Sequence, residues 1–156
     1  MSIDETAKQH FNSGYNCAES VLLAISSHPA FQGRPCTELI PRIATGFGGG
    51  LARNGKICGA LAGGIIAINL VLGRANAQES RDPCYPAVDK FLAEFQETFQ
   101  SLNCRDITTV DLKTDEGRRR YQQVYHFEIC NPVVAWASRR VVEVIEEFIP
   151  GATGAA

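Results

Sequence analysis

The sequence predicts an all-α domain, and three observations carry that prediction. The strong apolar repeats run at three and four residues rather than two, as in Val88, Phe91, Leu92, Phe95 and Phe99. Glycine, proline and asparagine fall where helices would start or stop. The one β-leaning patch, "YHFEI" at 125–129, is too short to anchor a sheet. The expected architecture is a single-domain bundle of five or six helices around a central Gly/Ala-rich apolar helix. It spans residues 1–150 and leaves a disordered tail at 151–156.

Residues 3–13 form a short polar helix. "NCAESVLLAISSH" follows, with Asn16 as cap and Glu19 completing an N-x-x-E capping box. "CTELIPRIATGF" reads as helical from Thr37, with Pro41 tolerated near its first turn, and ends in "GFGGG". The central helix runs from about Lys56 to Leu72, with Gly73 as its stop. Residues 74–83 are polar and turn-rich, hence a loop. The helix "AVDKFLAEFQETFQSL" follows at 87–102, and Asn103 offers a second cap before Cys104. "TTVDLKTDEGRRR" is a charged loop with a short helix, its basic run a solvated face. A last helix is capped by Asn131, with Pro132 at its first position. It buries Val133, Ala137, Val141, Val144, Ile145 and Phe148.

The 156 residues are 45% apolar and carry a formal charge of −2, so a core is available without staples and no polyanion partner is indicated. The polar N-terminus lacks the charged and apolar regions of a secretory signal. The uncharged run at 57–73 is shorter than the roughly 20 residues a spanning helix needs. These readings predict a soluble, cytoplasmic protein with neither nucleic-acid nor membrane partners. A homodimer stays open.

Six cysteines are many for such a chain: Cys17, Cys36, Cys58, Cys84, Cys104 and Cys130. A reducing compartment argues for metal binding or redox chemistry over a disulfide framework. None of the six forms a C-x-x-C pair, which removes the thioredoxin motif, the usual zinc ribbons and covalent haem attachment. Asn16, Asn103 and Asn131 flank Cys17, Cys104 and Cys130, and Cys58 opens the central helix. All four would therefore lie at helix N-termini, where free N–H groups and the positive end of the helix dipole favour thiolate. Gly59 and Gly63, with Ala60, Ala62 and Gly64, clear space beside Cys58 for a neighbouring backbone or a cofactor. Core packing uses the same residue types, since free cysteine is often a small buried hydrophobe. His126 reads as a core or surface residue, and His10 and His28 have no evident partners. "GFGGGLARNG" fits neither nucleotide-binding glycine pattern, and there is no G-x-S-x-G.

"YNCAESVLLA", "GFGGGLARNGKICGALAGGIIAI", "FQSLNCRDI" and "CNPVVAWASRRVVEVIEE" together resemble the redox-active family labelled by its cysteine pattern, C_GCAxxG_C_C. The resemblance runs from about residue 8 to residue 148. Where the label spells Gly-Cys-Ala, this chain reads Cys58-Gly59-Ala60. The family's cysteines fall on Cys17, Cys58, Cys104 and Cys130, while Cys36 and Cys84 match no family position and are expected to be dispensable. The resemblance implies a bacterial or archaeal redox protein holding an iron–sulfur or other metal centre.

Three functions follow as expectations. The first is electron transfer or redox sensing through four thiolates holding an iron–sulfur cluster, most simply 2Fe–2S, with an unidentified redox partner protein. The second is a thiol–disulfide oxidoreductase cycling one cysteine pair. The third is a structural zinc site with four cysteine ligands. A defined enzymatic reaction is not indicated.

Overall fold

The computed structural model describes residues 1–34 and 37–151. Cys36 and the predicted tail beyond Gly151 lie outside the described residues. Among the described residues the chain forms seven α-helices. They are α1 (Ile3–Asn12), α2 (Cys17–Ser26), α3 (Gly59–Leu72), α4 (Cys84–Phe99), α5 (Cys104–Thr108), α6 (Asp115–Arg120) and α7 (Asn131–Phe148). A π-helical segment, Tyr121–Cys130, joins α6 to α7, so the backbone stays helical from Asp115 to Phe148. Extended pairing among the described residues is limited to one antiparallel bridge, Ile57 with Asn103. The all-α prediction holds, and the short α5 and α6 raise the helix number above the expected five or six.

Helix α3 is the axis of the bundle. Gly59 through Gly64 are all buried, as are Ala67, Ile68, Val71 and Leu72. Helix α2 packs on one side of it and α4 and α7 on others, while α1 covers α2 and α7. Full burial of Leu61 and Ile68 stabilises by about 2–3 kcal/mol each. Gly63 allows the closest approach. A Cβ there would stand 2.7 Å from the Ala18 carbonyl oxygen, so α2 and α3 touch backbone to backbone.

Helices α4 and α7 meet through aromatic rings. Trp136 stacks on Phe91 at 5.9 Å and meets the edges of Phe95 and Phe99 at 5.8 and 5.3 Å. Beside them Arg140 grips both oxygens of Glu94, at 2.6 and 2.9 Å, and also reaches Glu143 and Glu147. The two-pronged bond to Arg140 pulls the Glu94 carboxyl below its ordinary value.

Four local expectations need correction. The helix foreseen from Thr37 is two 3₁₀ turns, Thr37–Leu39 and Arg42–Phe47. Pro41 falls between them and glycines at 46 and 48 stop propagation. The central helix starts at Gly59 rather than Lys56, because Lys56 and Cys58 bond to the backbone of Cys104 and Leu102. The "YHFEI" patch is π-helical. Asn131 caps nothing: it has helical dihedrals, and its N–H bonds to the His126 carbonyl five residues back. Cys130 therefore sits inside a continuous helix, and of these four cysteines only Cys17, Cys58 and Cys104 are at helix starts.

Candidate functional site

Cys17, Cys58, Cys104 and Cys130 line one cavity of about 30 Å³. Ala60, Ile107, Leu112, Val133, Val134 and Tyr121 close most of the rest. Four separate elements deliver the four sulfurs, and each is held by local hydrogen bonding.

Cys17 is the first residue of α2. The predicted capping box is present: Asn16 Oδ1 accepts from Glu19 N–H at 3.0 Å, and Glu19 accepts from Asn16 N–H at 2.9 Å. The same two side chains also anchor the glycine-rich loop. Asn16 Nδ2 donates to the Thr45 carbonyl, and Thr45 Oγ1 donates to Glu19. From there the chain enters a left-handed turn, with φ between 50° and 70° at Gly49, Gly50, Leu51, Ala52 and Arg53. Three of these carry side chains, for which the left-handed region costs roughly 1–2 kcal/mol each. The turn is closed by bonds from Ala52 N–H to Gly46 O at 3.0 Å and from Lys56 N–H to Gly50 O at 2.9 Å. It brings the Gly49 N–H to face the Cys17 sulfur.

Cys58 and Cys104 are tied to each other's flanking backbone. Cys58 N–H donates to Leu102 O, and Cys104 N–H to Lys56 O, both at 2.7 Å. Gly50 lies under this junction. A Cβ there would stand 2.5 Å from Lys56 N and 2.7 Å from Cys104 Cβ, so glycine is required by space as well as by φ.

Cys130 closes the set from the π segment, and the same segment supplies Tyr121, whose hydroxyl faces the Cys130 sulfur. Nine residues at about 100° each would put the two on opposite faces of an α-helix. The wider π winding puts them on one cavity wall.

All five described cysteines are free thiols. Burial raises Cys17 and Cys58 above the ordinary 9.0 and pushes Cys104 to about 11 and Cys130 to about 12. A thiolate at Cys17 would repel one at Cys58, Cys104 or Cys130. Acting the other way, N–H groups of Gly49, Ala18 and Ala60 face Cys17, and those of Leu61 and Ala60 face Cys58. Thr108 Oγ1 and Tyr121 favour the anions of Cys104 and Cys130. Burial wins in the metal-free protein, so the thiols stay protonated near neutrality. A cation would tip that balance.

The donor set is thiol only, with no carboxylate or imidazole on the cavity wall, which suits a thiophilic metal such as iron or zinc. As the side chains stand, no three Cys, His, Asp or Glu groups among the described residues are placed to share one ion.

The remaining candidates separate from this cavity. Gly59 and Gly63 do not line it; their missing Cβ atoms admit Cys17 Sγ and the Ala18 backbone. Cys84 starts α4 and donates to Asn69 Oδ1 at 3.3 Å, outside the four-cysteine cavity. His28, expected to lack partners, accepts from Ala30 N–H and pairs with Glu146 at 3.3 Å. His126 stacks on Phe11 at 4.1 Å with its ring 2.9 Å from Asn12 Oδ1. Tyr121 was not legible as a site residue, since a lone tyrosine in a charged stretch carries no spacing signal.

A family described as "Putative redox-active protein (C_GCAxxG_C_C)" matches residues 15–144. An uncharacterized protein of Archaeoglobus fulgidus is 30% identical over 122 residues, covering 72% of this chain and 79% of that relative. No solved structure matches the chain. Among the described residues no helix is long and apolar enough to cross a membrane.

Proposed function

The chain belongs to the C_GCAxxG_C_C redox-active family, and on that footing we propose that Cys17, Cys58, Cys104 and Cys130 together hold an iron–sulfur cluster for electron transfer or redox sensing. The observation that carries this reading is their meeting on one cavity wall, with backbone N–H groups turned toward two of the sulfurs. Such a cluster, when bound, supplies one-electron chemistry at a potential set by burial and by hydrogen bonds to sulfur. The protein's part is to gather and orient the thiols, to exclude water with Val133, Val134 and Leu112, and to place Tyr121 against Cys130.

A second reading, a cycling dithiol, draws on Cys17. It is the one cysteine of the four that also borders an open cleft, where a disulfide partner could reach it. Purification without oxygen, followed by metal analysis and reductive titration, decides between them. The cluster reading expects about two irons per chain and a visible thiolate–iron band that bleaches on reduction. Metal-free protein that forms one Cys17 disulfide reversibly would establish the dithiol instead. Zinc without a redox couple would make the site structural.

A further inference from the structure

The cysteine cavity has an open neighbour. A cleft of about 580 Å³ shares Cys17, Gly49, Leu112 and Tyr121 with it. That volume lies in the range of small-molecule sites, roughly 300–1,000 Å³. The cleft is built from the end of α1, the loop into α2, the left-handed turn and the π segment.

Its lining is electrostatically one-sided. Arg53 and Arg118 both face it, and no carboxylate lines it. Arg118 is partly engaged, donating to the Leu112 carbonyl at 2.9 Å and pairing with exposed Asp115. Arg53 takes part in none of the ion pairs among the described residues. Glu19, which supports this wall, is consumed by Asn16 N–H and Thr45 Oγ1. The lining is also aromatic: Phe11 and His126 are stacked at 9° between planes, and Tyr15 and Tyr121 line the cleft with them.

The position of Arg53 is held at a cost. It is the last residue of the left-handed turn, with φ 67°, and the Gly49 that faces Cys17 lies four residues earlier in the same turn. The strained backbone that completes the sulfur environment also presents an unpaired guanidinium to the space outside it. Backbone strain of this kind persists where the surroundings enforce it and clusters at functional sites.

We infer that this cleft binds a small molecule bearing a carboxylate or phosphate group, its oxyanion on Arg53 and its apolar part along Phe11, Tyr15 and His126, beside Cys17. This deepens the redox reading and rests on it for the meaning of the site, because it names the class of molecule that would meet the centre. Guanidinium recognises both oxyanions through paired N–H donors, and the aromatic wall favours a flat, unsaturated body over a bare ion.

The test uses the oxygen-free protein with benzoate, inorganic phosphate and benzyl alcohol as probes. Binding is read by calorimetry and by amide shifts at Gly48, Gly49, Ala52 and Arg53. Benzoate or phosphate should saturate these shifts, the tighter of the two naming the oxyanion, and benzyl alcohol should bind at least about tenfold more weakly. Arg53→Gln should weaken the oxyanion by about tenfold, and Arg53→Lys should restore part of it. Arg53 is exposed, so neither variant threatens the fold. Metal content and thiol count should stay at wild-type values in both. No saturable shift, or equal binding of benzyl alcohol, overturns the inference and leaves the proposed centre untouched. Oxyanion binding lost in Arg53→Gln, in a protein with neither metal nor a dithiol couple, would uphold the cleft and overturn the redox reading.

Discussion

Two regions of the molecule hold together by different means. Around Trp136 the contact of α4 with α7 is regular helix packing: rings interlock, Arg140 pairs with three carboxylates, and each backbone lies in its commonest conformation. Around the four cysteines the chain runs through a left-handed turn, a lone β-bridge and a π segment within one small volume. The first region is built for stability. The second gives up stability to place sulfur. Substitutions in the two regions should therefore separate stability from function.

The largest effect belongs to Cys17, which neighbours both the cavity and the cleft. Cys17→Ala should abolish the centre outright, with loss of the bound metal and of any reversible couple. The fold should survive, because the half-buried thiol leaves only a small void. Metal analysis and helical circular dichroism on the same sample check both halves. A variant keeping full metal content would show that three ligands suffice and that Cys17 serves another role.

A paired substitution tests the contrast directly. Phe91→Ala removes a fully buried ring and should cost about 3–5 kcal/mol while the centre still assembles. Gly50→Ala should cost about 3 kcal/mol, from the left-handed backbone and from crowding Lys56 and Cys104, and should lose the centre as well. Urea midpoints with metal content for the two proteins give the answer. Equal retention of metal would erase the distinction between the two regions.

The same division explains what could be read from sequence. The α4 stripe and the Asn16–Glu19 box are local patterns with local causes, and both stand where expected. The four cysteines singled out do line one cavity, although the helix-start reasoning fails at Cys130, which starts no helix. The left-handed turn could not be read, because Leu51, Ala52 and Arg53 have no intrinsic preference for positive φ. Backbone bonds from Leu51, Ala52 and Arg53 to the carbonyls of Phe47, Gly46 and Gly48 within the same loop hold it. Nor does composition mark five-residue hydrogen bonding, so nothing in the sequence singles out Tyr121, and Asn131 reads there as a cap.

Titration of the thiols gives a smaller, graded effect. Their folded-state values lie above the unfolded 9.0, about 11 for Cys104 and about 12 for Cys130. The neutral form is the one the fold favours. The metal-free reduced protein should keep this contribution in full below pH 9 and lose it as pH rises through 11 to 12, by a few kcal/mol in order of magnitude. Denaturation at about pH 8, 9.5 and 11, compared with a variant lacking the four thiols, isolates it. A parallel decline in both proteins would assign the loss to other groups. Metal binding should respond in the opposite sense and tighten as pH rises, because each ligand must release a proton.

Tyr121→Phe should be subtler still. The hydroxyl favours the Cys130 anion, so its removal should raise that thiol's alkylation midpoint. It should also lower the potential of a bound cluster, since one fewer donor then stabilises the reduced state. An unchanged midpoint and potential would confine Tyr121 to packing.

The smallest effect is expected at Cys84, where the comparison becomes most exacting. Cys84 is 8% exposed, as buried as Cys104 at 8% and Cys58 at 7%. It also begins a helix, as Cys104 does. By residue type, burial and helix position it qualifies as fully as the others. It differs in its neighbours: its thiol donates to Asn69 Oδ1, and no second cysteine shares its pocket among the described residues. Helix-start placement alone therefore does not bring sulfurs together; the four cysteines that share a cavity arrive on separate elements. Cys84→Ser preserves a donor to Asn69 in a slightly smaller side chain, so stability should change by about 1 kcal/mol or less. Metal content, visible spectrum and potential should match wild type. A Cys84→Ser protein that loses its metal or its couple would mean that the centre draws on α4, and that the four-cysteine cavity is only packed core.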